Sequence, residues 1–443
     1  MENMSDLEKI EKDILNSIKE YYSIQKEKPF VPGKSIIQYS GAILDENETI
    51  SVVNTILTGW LGLSEKAEKL QNDLKTLIGG KSCFLTNSGS SSNLLALSSI
   101  KTKFQEGDEV IVPACSFPTT VNPIIQNNLI PVFIDSELGT YNATLEMIEE
   151  AISSKTKAII LAHTLGNPYP MDKIIELAEK HNLYVIEDCC DAIGSKYKNK
   201  ACGSFGDLST YSFYPAHHMT MGEGGAVIVN NDSLSKIVQS FRDWGRDCWC
   251  KPGLSNTCGK RFSWQLGDLP LGYDHKYIFS NIGYNLKPTE LQAAIGVEQI
   301  KKLLHFEKKR KENFRILYNL FLNYENYFIL PQSLPDADVS WFSFPLTIKN
   351  RSIFSRLDFT HFLEKNKIQT RTAFSGNIIK QPAYKNIKYR IANKLTNSDK
   401  ILEDTFFLGI YPGISTEMME YMCQKVREFM NDILKNGKHS KKN

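Results

Sequence analysis

The chain has 443 residues, of which 42% are hydrophobic, 23% charged and 11% aromatic, with a formal net charge of +2. That length supports more than one domain and a sizeable core. Acids and bases are interspersed, so no nucleic-acid or membrane-surface role is expected, and no run approaches the roughly 18 apolar residues of a membrane helix.

In chain order, residues 1–75 read as amphipathic helices broken near Pro29, Pro32 and Gly33. The opening stretch MENMSDLEKIEKDILNSIKEYY is charged and lacks a signal peptide's apolar core, so the protein is expected in the cytoplasm. From there to about residue 235, short apolar runs alternate with helical stretches. The runs at 83–85, 110–112, 131–134, 158–162, 184–187, 209–213 and 226–229 suit buried strands in length and β-branched content. Their alternation predicts an α/β unit with a mostly parallel sheet flanked by helices. Residues 242–285 hold Cys, Trp, Gly and Pro with little periodicity, and an irregular insertion of this length is usually functional. A helix is expected from 288 to about 323. Beyond it, 339–348, 358–366 and 417–434 mix strands and helices, as in a smaller C-terminal α/β domain. The tail KNGKHSKKN is basic and expected to fray. The expected division is a helical segment over 1–60, a large domain over 61–310 carrying the 242–285 loop, and a small domain over 311–443.

Nine cysteines in a cytoplasmic chain point to metal ligation or catalysis where they cluster, rather than to disulfides. Cys189, Cys190 and Cys202 form one group, and Cys248, Cys250 and Cys258 a second. Cys83, Cys115 and Cys423 stand alone and read as small buried hydrophobes.

Two motifs point to a bound cofactor. Asn-Ser-Gly-Ser-Ser-Ser-Asn from Asn87 lies between a strand and a helical stretch. Small residues there let backbone N–H groups and the helix dipole meet a phosphate, although such a turn is more often a plain helix cap. Glu187-Asp188 ends an apolar strand, where open α/β sheets bind ligands. An acid at that place can pair with the pyridine nitrogen of pyridoxal phosphate (PLP), or merely cap a helix.

The third motif, Ser-Phe-Tyr-Pro-Ala-His-His-Met-Thr-Met-Gly-Glu-Gly-Gly from Ser212, resembles the cofactor motif of the sugar aminotransferase (DegT/DnrJ/EryC1/StrS) family. The resemblance runs from about residue 35 to 415. It includes the segments Gly-Gly-Lys-Ser-Cys-Phe-Leu-Thr from Gly79, Ser-Phe-Pro-Thr-Thr-Val-Asn from Ser116 and Gly-Tyr-Asn-Leu-Lys from Gly283. It implies the PLP-dependent transferase fold type I. In the family a Lys in this motif holds PLP covalently; here that position is His217. An imidazole cannot hold PLP so, but it serves as a general base near neutral pH. His in place of Lys resembles the nucleotide-sugar 3-dehydrases, which use pyridoxamine phosphate (PMP) reversibly and expel the C3 hydroxyl of a 4-keto-6-deoxy-sugar. His218 is the fallback if the alignment slips by one.

Cys190, Cys248, Cys250 and Cys258 stand at the spacing C-x57-C-x-C-x7-C, which resembles the cluster pattern of CDP-6-deoxy-4-hexulose 3-dehydrases. Four thiolates suit a [2Fe–2S] cluster; a structural zinc or scattered buried thiols are the other readings. The resemblance further implies that Asp188 pairs with the pyridine nitrogen, Phe117 stacks on the ring, and Gly89, Ser90 and Ser212 hold the phosphate. Asn285 is expected to reach the cofactor of a partner subunit, hence a homodimer with shared sites. His218, Lys287 and Arg371 are the candidate substrate contacts, Arg371 toward a nucleotide diphosphate or simply a surface ion pair. Asp191 stands where many relatives have Gln or His, and Lys287 where many have Arg. The implied partners are a CDP-linked sugar and an NAD(P)H-dependent iron–sulfur flavoprotein reductase. The implied product is a 3,6-dideoxy-4-keto sugar for surface polysaccharide (O-antigen).

Rival readings are a deaminating, colitose-type 3-dehydrase, which does not need the cysteine quartet, and an aminotransferase, which needs a Lys absent between Lys200 and Lys236. A non-enzymatic PLP-fold sensor would need a DNA-binding appendage, for which the first 35 residues are too short and too acidic. An iron–sulfur structural protein would not need His217.

Overall fold

The computed structural model describes residues 5–25, 29–251 and 253–439. Among the described residues, no helix is long and apolar enough to cross a membrane. Helix α1 (Asp6–Ile24) opens with a reciprocal Ser5–Glu8 capping box, and α2 (Glu46–Leu57) with one between Asp45 and Glu48. Helix α3 (Glu65–Ile78) is capped from far away. The Glu290 carboxylate accepts the N–H groups of Ser64, Lys66 and Ala67 at 2.6, 2.5 and 3.3 Å.

All seven expected runs fall in or overlap strands of one sheet. They are β1 (Ser82–Thr86), β2 (Glu109–Pro113), β3 (Ile130–Ile134), β4 (Thr156–Ala162), β5 (Tyr184–Asp188), β6 (Leu208–Ser212) and β7 (Gly225–Val229). The order is β1-β7-β6-β5-β4-β2-β3, and the two-residue strand Arg390–Ile391 adds itself beside β3. Only β7 runs against the others. Helices α4 (Gly89–Lys101), α5 (Pro118–Gln126), α6 (Leu145–Ala151), α7 (Met171–His181) and α8 (Ser235–Arg242) make the connections. Alternate strand residues feed two separate cores, as a period of two requires. Val110, Val112, Ala158, Ile160 and Ile186 pack with Leu95 and Ile124. Ile111, Ile159, Leu161 and Val185 pack with Ile148 and Ile174 on the other face. Covering both faces is what a parallel sheet demands.

Helix α9 (Glu290–Leu322) has 33 residues, about 50 Å of rigid rod. It leads to a second, antiparallel sheet of β8 (Phe328–Ile329), β9 (Ser343–Ile348), β10 (Thr370–Thr372) and β11 (Thr405–Gly409), in the order β8-β9-β11-β10. Helices α10 (Arg356–Lys365), α11 (Thr396–Asp404) and α12 (Thr416–His439) accompany it. Its core is aromatic, with Phe321, Phe344, Phe359 and Phe406 fully buried. Ile37, in the stretch between α1 and α2, joins this core through backbone bonds to Lys367 and Gln369 at 2.8 and 3.0 Å. The expected fraying of the tail is corrected in part, because residues 435–439 continue α12; residues 440–443 lie outside the described residues.

The 242–285 insertion is irregular, as its composition predicts, but it carries a small core of its own. Trp264 stacks on the buried His275 ring at 4.7 Å, Trp249 meets both edge-on, and His275 Nε2 pairs with Asp247 at 2.5 Å. The Arg261 guanidinium holds the Asp274 carboxyl down at about 2.

Candidate active site

A cavity of about 1370 Å³ opens at the C-terminal ends of β4, β5 and β6, closed on one side by residues 371–375 and 381–384. It gathers eight of the expected residues, Gly89, Ser90, Phe117, Asp188, Cys190, Ser212, His217 and Arg371. Ligand sites of open α/β sheets sit at this edge.

Alternation along β5 separates the two acids of its last turn. Asp188 faces the cavity and is 5% exposed. Its Oδ2 accepts from Asn93 Nδ2 at 2.8 Å and Thr120 Oγ1 at 2.7 Å, and its Oδ1 from the Cys190 N–H at 3.1 Å. Thr210 fixes the Asn93 amide by donating to its oxygen at 2.5 Å. Glu187 points the other way, into the N–H groups of Gly203, Phe205 and Gly206 at 2.7–2.8 Å and His163 Nε2 at 3.0 Å. One carboxylate is therefore a ligand-facing anion, and the other is tied into the scaffold.

The N-terminus of α4 forms the floor of the cavity. Ser88 caps it by accepting from the Ser91 N–H at 3.1 Å. Gly89 comes next because nothing larger fits. A Cβ there would lie 2.4 Å from Ser212 Cβ and 3.0 Å from Cys190 Sγ. The close approach leaves the Gly89 and Ser90 N–H groups beside Ser212, an anion cradle in the sense of a helix N-terminus. Phe117, at the N-cap of α5, is 52% exposed toward the cavity, with its edge on Phe374 at 6.3 Å. Phe374 holds a left-handed backbone, φ 46°, a strain that residues at binding sites often carry.

His217 Nδ1 lies 2.7 Å from the Cys190 carbonyl and 3.1 Å from Asp191 Oδ1. Both partners are acceptors, so Nδ1 carries the proton in the neutral ring and Nε2 keeps its lone pair. Phe342 packs against the ring at 5.6 Å and Tyr214 meets it edge-on. Arg371 sits over the Tyr39 ring at 4.4 Å on the cavity wall and donates to the Thr370 carbonyl.

Other expected residues lie elsewhere. His218 does not line this cavity. It is 2% exposed, with Nε2 on the Ser340 carbonyl at 2.8 Å, and burial followed by the Arg310 charge pushes it well below the usual imidazole range. The expected substrate contact there is therefore corrected: the peptide after His217 turns this ring into the core. Asn285 and Lys287 stand together outside the cavity of their own chain. Lys287 Nζ reaches Asn285 at 2.8 Å and lies over the Trp244 ring at 3.4 Å, and burial lowers its pKa.

Cys190 lines the cavity, and burial followed by the Asp188 charge raises its thiol well above the ordinary range. Cys248, Cys250 and Cys258 share the insertion. Burial, with Cys250 and Cys258 nearby, raises the Cys248 thiol. Burial also raises Cys250, but the hydrogen bonds from Thr257 outweigh that and leave it lowered. Among the described residues, the compact group of potential ligand atoms is instead His163, Glu187 and Cys189. There the imidazole is engaged on both sides, by Glu187 and by the Tyr169 N–H.

Sequence reading misses His163, Asn93 and Thr120, which shape or hold the Asp188 corner, and Tyr39 and Phe374, which wall the cavity. Asn93 and Thr120 lie in motifs quoted above, but nothing in those motifs assigns either side chain to Asp188.

Comparison with known proteins agrees with this architecture. Residues 42–427 match the DegT/DnrJ/EryC1/StrS aminotransferase family. The chain belongs to that family. It is 47% identical over 423 residues to dTDP-4-dehydro-2,6-dideoxy-D-glucose 3-dehydratase of Saccharopolyspora spinosa, covering 94% of this chain and 91% of the relative. It is 48% identical to the lipopolysaccharide biosynthesis protein RfbH of Salmonella typhimurium, covering 91% and 93%. The solved E. coli GDP-4-keto-6-deoxy-D-mannose-3-dehydratase with bound hydrated PLP superposes with a TM-score of 0.79 at 26% identity, covering 88% of this chain and 99% of that one. This family member therefore has the fold of PLP-dependent sugar enzymes, with a His at the position where the motif has Lys.

Proposed function

We propose that this chain is a PMP-dependent nucleotide-sugar 3-dehydratase whose substrate is a CDP-linked 4-keto-6-deoxy-hexose. The observation that carries the reading is His217, its Nδ1 pinned by Cys190 and Asp191 and its Nε2 left free as a base. The residues fit the cofactor. The cradle of Gly89, Ser90 and Ser212 would hold the phosphate, the buried Asp188 would pair with the pyridine nitrogen, and Phe117 would stack on the ring. Bound there, PMP supplies an amine for the sugar ketone and an electron sink for the carbanion that follows. His217 would be the base toward the bound cofactor, and its imidazolium the acid toward the C3 hydroxyl, with Nδ1 held by Cys190 and Asp191. Asp188, held by three donors, would keep the pyridine nitrogen protonated. Asp191 and the Cys190 carbonyl steady the imidazolium after it gains its proton. Arg371 and Tyr39 take the diphosphate side of the sugar nucleotide.

Cys190, Cys248, Cys250 and Cys258 are proposed to hold a [2Fe–2S] cluster that passes electrons from an NAD(P)H-dependent iron–sulfur flavoprotein reductase. Three free cysteines in one insertion, and a fourth on the cavity wall, support this reading. Asn285 and Lys287, outside their own cavity, are proposed to complete the site of a partner subunit in a homodimer.

Anaerobic purification, iron and acid-labile sulfide analysis, and turnover with and without reductase test this reading. Expected are about two irons and two sulfides per chain, and a 3,6-dideoxy-4-keto product only with reductase present. Metal-free protein that turns over without reductase and releases ammonia would instead place it with the deaminating 3-dehydratases. His217→Asn with full activity would remove the base.

A further inference from the structure

We propose that Arg310 is a positioning residue for His217, acting through two carbonyl bonds and through one internal water that it shares with His218. The inference rests on His217 being the base.

Arg310 lies in α9 and is 1% exposed. Among the described residues it makes no ion pair; the charge it feels is that of Asp191. Burying a cation without a carboxylate partner is expensive unless its donors are used. Two are: one guanidinium nitrogen donates to the Phe342 carbonyl at 2.8 Å and the other to the His217 carbonyl at 3.4 Å. Those two residues are the base and the ring that packs against it. The front of the imidazole is fixed by Cys190 and Asp191; the guanidinium fixes the backbone behind it.

The third guanidinium nitrogen, Nε, has no partner for its N–H, and neither has Nδ1 of His218. Both residues line the same small cavity of about 10 Å³, with Gly41, Pro215 and Gln299. That is about the space one water needs. The polarity of the two orphans matches one. His218 Nε2 must carry the proton, because its partner is the Ser340 carbonyl, so Nδ1 is an acceptor. A water accepts from Arg310 Nε–H and donates to His218 Nδ1, satisfying both buried groups. An anion has no proton to give and fits only one of them. His218 is thus a strut: it fixes the residue next to the base from the opposite side of the chain.

The test uses the full-length protein carrying Arg310→Met, which keeps length and removes the donors, beside Arg310→Lys. For Arg310→Met, kcat falls about 10- to 100-fold, the usual cost of a base displaced by an ångström, while KM and PLP affinity stay unchanged. The His217 Nδ1–H resonance, followed by NMR in histidine-labelled protein, shifts or broadens, and Arg310→Lys restores part of both readouts. In a His217→Asn background, Arg310→Met causes no further loss. Unchanged kcat with an unmoved His217 resonance overturns the proposal, and so does an equal loss in both backgrounds. If the Met variant does not fold, the Lys variant carries the same comparison. High-resolution crystallography of the wild type decides the water: density bonded to both Arg310 Nε and His218 Nδ1 supports it, and an empty gap overturns it. The resonance and the density need no turnover, so they stand or fall apart from the dehydratase reading.

Discussion

A single hydrogen atom decides the cofactor cradle. Gly89 faces Ser212 and Cys190 so closely that a methyl group would overlap both. Gly89→Ala must push Ser212 aside or move the first turn of α4. Either shift displaces the N–H groups that would meet the phosphate. The expected outcome is at least a tenfold weaker PLP affinity, about 1.4 kcal/mol, with a comparable loss of stability of about 1–3 kcal/mol from overpacking. Absorbance titration with PLP and urea unfolding measure the two. Wild-type affinity in this variant would exclude Gly89 from the cradle. At this scale the sequence exposes only residues that sit in local motifs. Asp188 ends an apolar strand, and His217 interrupts a familiar run, so both are legible. Thr120 and Asn93 lie in legible motifs, but their bonds to Asp188 are not readable there; Arg310 reaches the site from α9 with nothing near it in the chain to say so. His218 is the instructive case: adjacent to the base in sequence, it points into the core, because neighbouring side chains of a turn diverge.

The elements were largely legible because their burial is periodic. Runs of three to five apolar residues alternating with helical stretches suit buried strands of an α/β sheet, and they stand as β1 to β7. The reversal of β7 is not legible, since an apolar run has no direction. Nor is the edge strand Arg390–Ile391, whose two residues are too few to make a pattern. Long-range capping is equally silent in sequence. Glu290 heads its own helix, and its carboxylate also closes the first turn of α3, more than 220 positions earlier in the chain. Ser64 makes no side-chain cap for that helix, so the donors depend on Glu290. Glu290→Gln keeps the shape but replaces one acceptor oxygen with a donor facing N–H groups. A loss of about 1–2 kcal/mol is expected. It should appear as a lower urea midpoint with an unchanged slope. PLP affinity should stay at the wild-type value, because the cavity walls are untouched; a weaker affinity would show that α3 and the cradle are coupled.

The molecule as a whole leaves one surface unaccounted for. Trp244, Phe279 and Ile282 are 43%, 51% and 97% exposed on the same insertion that carries the three loop cysteines, and Asn285 and Lys287 lie at its end with no role in their own cavity. Exposed apolar side chains beside Asn285 and Lys287 suit the dimer contact proposed above. In a two-fold dimer the same patch meets itself, and each subunit can lend residues to the other's site. Complementation tests whether it does. A His217→Asn chain lacks the base and an Asn285→Ala chain lacks the lent contact, so each homodimer has two damaged sites. Mixed dimers carry one site with both defects and one with neither. Random pairing of equal amounts makes half the dimers mixed, so about a quarter of wild-type activity should return. Recovery absent from a mixture shown to have exchanged subunits would mean that Asn285 serves its own chain, and the site would then be complete within one subunit.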